Sequence, residues 1–132
     1  MSTDREDIID LFARLARVLD DGTLDDLRQV YAKDVLVRSP RGVELRGIDT
    51  VTEFLRETTE VDELTQHVHG DILVTVDSDH AETSANQLAY FYREGEPPHR
   101  TAGLRLEYTA VRTEDGWRFQ EANILRRWQV EG

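Results

Sequence analysis

The side chains best suited to acid–base chemistry near neutral pH are four histidines: His67, His69, His80 and His99. An imidazole titrates close to neutrality, so small environmental shifts make it a workable general acid or base. His67, His69 and Asp71 alternate along the chain, and a regular strand would place all three on one face. Two imidazoles and a carboxylate also suit iron or zinc. Steps of about 7 Å between alternate strand residues are loose for facial coordination, however, and no further His or Glu stands at ligand spacing, so no metal site is expected. His80, after Asp79, and His99, beside Pro98, read as exposed loop residues. His67 is the leading acid–base candidate; the competing reading is a solvated histidine at a strand edge. Asp20 is a carboxylate that could hold this imidazole in one tautomer, as in catalytic triads, or it could simply be solvated at a helix end beside Asp21 and Gly22.

A second set of candidates comes from strand alternation. Leu104, Leu106, Tyr108 and Ala110 form one apolar face, against Arg105, Glu107 and Thr109 on the other. The apolar set should face inward, leaving the Tyr108 phenol inside the fold. There it is either a donor to a developing oxyanion or a packed aromatic with a satisfied hydroxyl. Asn86, Tyr90 and Tyr92 share one face of another strand, and Asn123 sits on the last strand. Asparagine is uncommon in strand interiors, which makes both asparagines pocket candidates. Arg126-Arg127-Trp128 reads as an edge or subunit interface, or as one arginine turned inward toward an anionic substrate. Periodicity alone does not choose, because a single bulge reverses the face.

Helices first and strands afterwards must position these groups. Thr3-Asp4-Arg5-Glu6 is a capping box, and behind it Ile8, Leu11, Phe12, Leu15, Val18 and Leu19 form one apolar helical stripe ending at Gly22. Thr23 is expected to cap a second helix carrying Leu24, Leu27, Val30 and Tyr31 and ending near Lys33-Asp34. Val35 to Val37 is a short strand, broken by the turn Ser39-Pro40-Arg41-Gly42, with a brief return at Val43 and Leu45. Thr50-Val51-Thr52-Glu53 reads as a second capping box, starting a helix with Phe54 and Leu55 on its apolar side. The pattern changes from Thr65 onward. Ile72–Val76, Ala81–Tyr92, Thr101–Arg112 and Trp117–Val130 are strand candidates, separated by Asp77-Ser78-Asp79, by a segment containing Pro97-Pro98, and by Glu114-Asp115-Gly116. The expected class is α+β: one domain over residues 1–132, with a curved, mostly antiparallel sheet wrapped around three N-terminal helices.

Composition bounds the partners. The chain has 132 residues, 27 acidic against 16 basic side chains, a formal net charge of −11 and no cysteine. Disulfides, thiolate catalysis and sulfur-based zinc sites are excluded. An acidic surface repels phosphate backbones and anionic lipid, so neither nucleic acid nor membrane is an expected partner. No apolar run approaches the roughly 18 residues of a membrane span, and Met1-Ser2-Thr3-Asp4 lacks the features of a secretion signal, so a cytoplasmic location is expected.

Taken in order, several segments resemble the nuclear transport factor two-like superfamily. They are Arg14 to Gly22, Val30-Tyr31-Ala32-Lys33-Asp34-Val35, Leu45-Arg46-Gly47-Ile48 with the helix containing Glu53-Phe54-Leu55, and Thr113-Glu114-Asp115-Gly116-Trp117-Arg118-Phe119. Within the superfamily the chain is most similar to SnoaL-like, ketosteroid-isomerase-like and scytalone-dehydratase-like members. The resemblance implies a cone with a deep, largely apolar pocket, and a homodimer in which a second subunit covers the open sheet face. Ketosteroid isomerases carry a first-helix tyrosine where this chain has Leu15, an Asp-Pro pair where it has Ser39-Pro40, and a protonated aspartate where it has Tyr108. Steroid-type isomerisation by that constellation is therefore not expected, since serine is no substitute for a carboxylate base. SnoaL-like and dehydratase members match better, with an aspartate at Asp20 and a histidine at His67, although the first-helix tyrosine is again Leu15.

The resemblance thus implies a cofactor-free cyclase, dehydratase or isomerase acting on an apolar, polycyclic or polyketide-like small molecule. His67 would be the acid–base group, Asp20 its support and Tyr108 a donor. Leu15, Tyr31, Ser39, Asn86, Tyr90, Leu106 and Asn123 would line the substrate pocket. Holding a flexible substrate in a reactive shape would supply much of the catalysis. The alternative is a non-catalytic ligand-binding or association module of the same fold, favoured by the replacements at Leu15 and Ser39.

Overall fold

The computed structural model describes residues 2–132. Helix α1 (Asp4–Asp21) begins where Thr3 Oγ1 accepts from the Glu6 N–H at 3.1 Å and donates to the Glu6 carboxylate. Its stripe of Ile8, Leu11, Phe12, Leu15, Ala16 and Val18 is buried, and Gly22 ends it in the left-handed conformation at φ 72°, which glycine adopts without a Cβ clash. The second helix differs from expectation. It is a 3-10 helix over Leu24–Gln29 with no side-chain bond from Thr23, and the chain is already extended at Tyr31. The reason lies in a distant strand: the Phe119 N–H donates to the Val30 carbonyl at 2.8 Å, and Tyr31 pairs with Phe119. Residues 30–33 are thereby drawn out of a helix.

Strand β1 (Tyr31–Arg38) turns into β2 (Glu44–Arg46), and α2 (Ile48–Thr58) follows. The residue capping α2 is Gly47, at φ 93°, so Thr50 lies inside the helix and the expected capping box is absent. The remaining strands are β3 (Leu64–Asp77), β4 (His80–Tyr92), β5 (Arg100–Thr113) and β6 (Gly116–Glu131). They form one six-stranded sheet in the order β2-β1-β6-β5-β4-β3. Only the β1–β6 pair is parallel, and the sheet does not close into a barrel. The architecture is a curved α+β sheet with its helices on one side.

Helix α1 lies against β3 and β6. The core beneath it combines Ile8, Phe12 and Leu15 with Val35, Leu106, Tyr108, Phe119 and Ala122. The helix-facing side of the sheet is thus set by the alternate residues Ala81, Ala85, Leu106, Tyr108 and Ala110. A bulge at Gly70–Leu73 on β3 interrupts this alternation, with Asp71 in the left-handed region at φ 49°.

Candidate functional site

The last turn of α1 and the free edge of β3 meet at one carboxylate. Asp20 Oδ1 lies 2.7 Å from His67 Nδ1, and Oδ2 accepts the His67 backbone N–H at 2.9 Å. The Thr65 hydroxyl donates to Oδ1 at 3.1 Å. Because β3 is an edge strand, the His67 N–H has no strand partner on that side, and the carboxylate supplies one. Asp20 and Asp21 close a helix whose last turn carries no basic residue. A negative charge there opposes the helix dipole, at a typical cost of about 0.3–1 kcal/mol. Convergent donation from His67 and Thr65 offsets it. Such a break in local preference points to a role beyond helix formation.

The pair is well shielded, with side-chain exposures of 17% for Asp20 and 11% for His67. Binding of Nδ1–H by the carboxylate leaves Nε2 as the nitrogen with a free lone pair. Arg100 Nε is the buried side-chain nitrogen that lacks a partner among the described residues. Among the described residues His67 Nε2 makes no hydrogen bond. One step along the strand, His69 Nε2 lies 2.7 Å from Gln87 Oε1, and the ring packs against Phe12 at 5.5 Å between centroids. Burial lowers the pKa of His69, which favours its neutral form. The cleft of about 440 Å³ lined by Val68, Asn86, Leu88, Gly103 and Trp128 lies on the other side of the sheet, away from α1.

Tyr108 is separate from this group. It stands three inward-facing pairs along the sheet from His67, about 20 Å at strand spacing. Phe12 lies between, 5.5 Å from the His69 ring and 5.7 Å from Tyr108. The Tyr108 ring also meets Phe119 edge-on at 4.8 Å. Burial, with the neighbouring Tyr31 phenol, pushes the Tyr108 hydroxyl well above its ordinary pKa, and burial raises Tyr31 as well. Both phenols therefore stay protonated. This part of the interior is filled with aromatic side chains, where a deep pocket was expected.

The other expected pocket residues scatter. Leu15 and Leu106 are buried in the core. Tyr31 borders a groove of about 900 Å³ between the 3-10 helix and α2, on a different part of the surface. The Ser39 hydroxyl accepts the Val43 N–H at 3.1 Å and so serves the β1–β2 turn. Asn86, Tyr90 and Asn123 face away from α1: Asn86 joins Asp71 to Arg105, and Asn123 accepts from Arg38 at 2.9 Å. The bulge likewise turns Asp71 away from His67 and His69, which separates the three alternating residues. Among the described residues no group of three His, Cys, Asp or Glu side chains is placed to hold a metal. His99 is not a solvated loop residue, since its Nε2 meets Glu63 Oε2 at 2.8 Å. Thr65 and Gln87 were missed by sequence reasoning. Thr65 had a signal, since it stands two residues before His67 on the same face of a strand.

This geometry sits in a fold with known relatives. The SnoaL-like domain model matches residues 1–123. The chain belongs to the SnoaL-like domain family. No curated protein matches it. Among solved structures, protein Kfla4162 from Kribbella flavida is 26% identical, with a TM-score of 0.87, covering 96% of this chain and 93% of that one. A scytalone dehydratase-like protein from Novosphingobium aromaticivorans is 17% identical, with a TM-score of 0.85 and coverage of 98% and 87%. The hexachlorocyclohexane dehydrochlorinase LinA type 2 is 13% identical, with a TM-score of 0.84 and coverage of 97% and 88%. Two further structural neighbours have the cystatin-like fold, one of them an NTF2-like protein. No helix among the described residues is long and apolar enough to cross a membrane.

Proposed function

We propose that this SnoaL-like protein is a cofactor-free lyase that removes a proton and a leaving group from neighbouring carbons of an apolar, polyketide-like small molecule. The carrying observation is the 2.7 Å contact between Asp20 and His67 Nδ1, which leaves Nε2 free of a hydrogen bond among the described residues. His67 Nε2 takes a proton from a carbon beside a carbonyl or phenol ring. The C–H electrons become a C=C bond, hydroxide leaves from the adjacent carbon, and the imidazolium returns its proton to give water. Asp20 acts through His67, fixing its tautomer and stabilising the imidazolium, and is a positioning residue. Dehydration and dehydrochlorination, the reactions named for two structural neighbours, both lose HX across a carbon–carbon bond and share this need for a base. Tyr108 lies too far away to act on the same atom and serves the packing of the core.

Val68, Leu73, Leu125, Trp128 and Val130 leave apolar surface open on the side of the sheet away from α1. A second copy of the chain is the proposed cover for it, and the cytoplasm the proposed setting. The filled interior around Tyr108 favours a second reading, a non-catalytic module. The experiment that separates the two is turnover of a panel of β-hydroxycarbonyl and hydroxylated aromatic-ketone substrates. His67→Gln should lower the rate by about 10²–10⁴-fold. No turnover by the native protein on any member, or equal turnover by the variant, would favour the module.

A further inference from the structure

The Asp20 carboxylate must be held as firmly as the imidazole it orients, and most of its donors sit on one residue. The His67 backbone N–H reaches both oxygens, Oδ2 at 2.9 Å and Oδ1 at 3.1 Å, and His67 Nδ1 meets Oδ1 at 2.7 Å. A carboxylate gripped by a single partner can still swivel about Cβ–Cγ and exchange its oxygens. The remaining donor comes from a different residue: Thr65 Oγ1 donates to the same Oδ1 at 3.1 Å. Among the described residues no other group donates to Asp20.

Strand register explains why Thr65 can do this. Thr65 pairs with Phe91 and His67 with Ala89 in an uninterrupted stretch, so both side chains rise from the same face of β3, about 7 Å apart. The hydroxyl therefore approaches Oδ1 from along the strand, whereas the His67 N–H approaches from its free edge. A β-branched side chain is stiff at χ1 and favoured in strands, so aiming this hydroxyl costs little rotamer freedom. The cation in the same row, Arg100, does not compete for Asp20, because its Nη2 faces Glu63 Oε1 at 3.6 Å.

The shared oxygen gives the hydroxyl a chemical consequence. A close carboxylate–imidazole contact leaves the proton two places to sit. A donor to the carboxylate favours its ionised form, which keeps the proton on Nδ1 and the lone pair on Nε2. His69, the next side chain on this face, is held neutral by burial and so does not draw the carboxylate away as a second cation.

We propose that Thr65 is a positioning residue of the Asp20–His67 pair, its hydroxyl fixing Oδ1 as the partner of the imidazole and so maintaining the Nδ1–H tautomer. This rests on the reading of Asp20–His67 as the reacting centre.

The test compares Thr65→Val, which keeps the shape and loses the hydroxyl, with Thr65→Ser, which keeps the hydroxyl and loses the methyl. Nitrogen-15 NMR of the full chain without substrate reads the His67 tautomer, and turnover of the β-hydroxycarbonyl panel gives kcat and KM. Thr65→Val should show a mixture of Nδ1–H and Nε2–H forms. Its kcat should fall by about 3–10-fold, the scale of one hydrogen bond, with KM within about twofold. Thr65→Ser should keep the Nδ1–H form and stay within about twofold of the native kcat. Valine suits a strand, and Thr65→Ala supplies a second chain without the hydroxyl. A native tautomer in these hydroxyl-free variants would overturn the proposal. So would a Thr65→Ser variant as impaired as Thr65→Val, since the methyl would then be what matters. A mixed tautomer in Thr65→Val, beside turnover indifferent to His67→Gln, would sink the lyase reading and keep the role of Thr65. Turnover abolished by His67→Gln, with Thr65→Val native in tautomer and kcat, would do the reverse.

Discussion

Replacing Asp20 by Asn tests the central geometry most directly. The carboxylate receives the His67 backbone N–H at 2.9 Å and the Thr65 hydroxyl at 3.1 Å, and meets His67 Nδ1 at 2.7 Å. The amide keeps one acceptor oxygen, which can hold the backbone N–H. Its NH₂ group then faces the imidazole as a donor, and Nδ1 can meet it only as an acceptor. The proton must therefore move to Nε2, which removes the lone pair the proposed chemistry needs. Hydrogen bonds to a charged partner contribute about 1.5–3 kcal/mol each, against about 0.5–1.5 for neutral ones. Weakening two of the three contacts gives a loss of about 2 kcal/mol. Removing a negative charge from the C-terminal end of α1 offsets about 0.3–1 kcal/mol of this, so the net destabilisation is about 1–2 kcal/mol. With a urea slope of about 1–3 kcal/mol per molar, the unfolding midpoint should fall by roughly 0.5–1 M at unchanged slope. Nitrogen-15 shifts of the imidazole read the tautomer directly: Nδ1–H in the native chain, Nε2–H in the variant. Turnover should drop by about 10²–10⁴-fold. A variant that keeps the Nδ1–H tautomer and its activity would refute the reasoning, whatever its stability.

Burial lowers the pKa of His69 below 6.5, so the unfolded chain binds a proton there more readily than the fold does. Its contribution to stability should be complete above pH 6.5 and be lost as pH falls through the lowered folded value; urea midpoints from pH 8 to 5 should fall, and less steeply in His69→Asn. Tyr31 and Tyr108 are raised above 10, so the opposite limb applies: stability is full below pH 10 and declines above it. Ultraviolet titration of the Tyr31→Phe and Tyr108→Phe variants should show that neither phenol ionises before the fold opens. A Cβ built on Gly103 falls 2.3 Å from Trp128 Cε2 and Nε1, so Gly103→Ala must push the indole off the sheet. The expected cost is about 1–3 kcal/mol, with a changed Trp128 fluorescence; an unaltered spectrum would contradict the packing.

Local chemistry alone determined a good part of this molecule. Thr3, Glu6, the apolar stripe and Gly22 specify α1 without outside help, because a helix is built from contacts three and four residues apart. The long alternating runs of β4, β5 and β6 were visible for the analogous reason, a period of two. The segment from Leu24 to Tyr31 was not, since its spacing fits a helix and only pairing with Phe119 draws Val30 and Tyr31 into an extended strand. Family order also marked Asp20 and His67 as residues worth watching.

What periodicity could not settle was facing and distance. One bulge at Gly70–Leu73 sends Asp71 away from its neighbours. Asn86 and Asn123 fall on the side of the sheet away from α1, and Phe12 stands between His69 and Tyr108. Asp20 and His67, 47 residues apart, touch only because α1 packs its last turn along the free edge of β3. Residue type and spacing named the groups able to do chemistry, while the choice of which of them meet depended on long-range strand register and helix docking, neither of which is encoded within any one stretch of the chain.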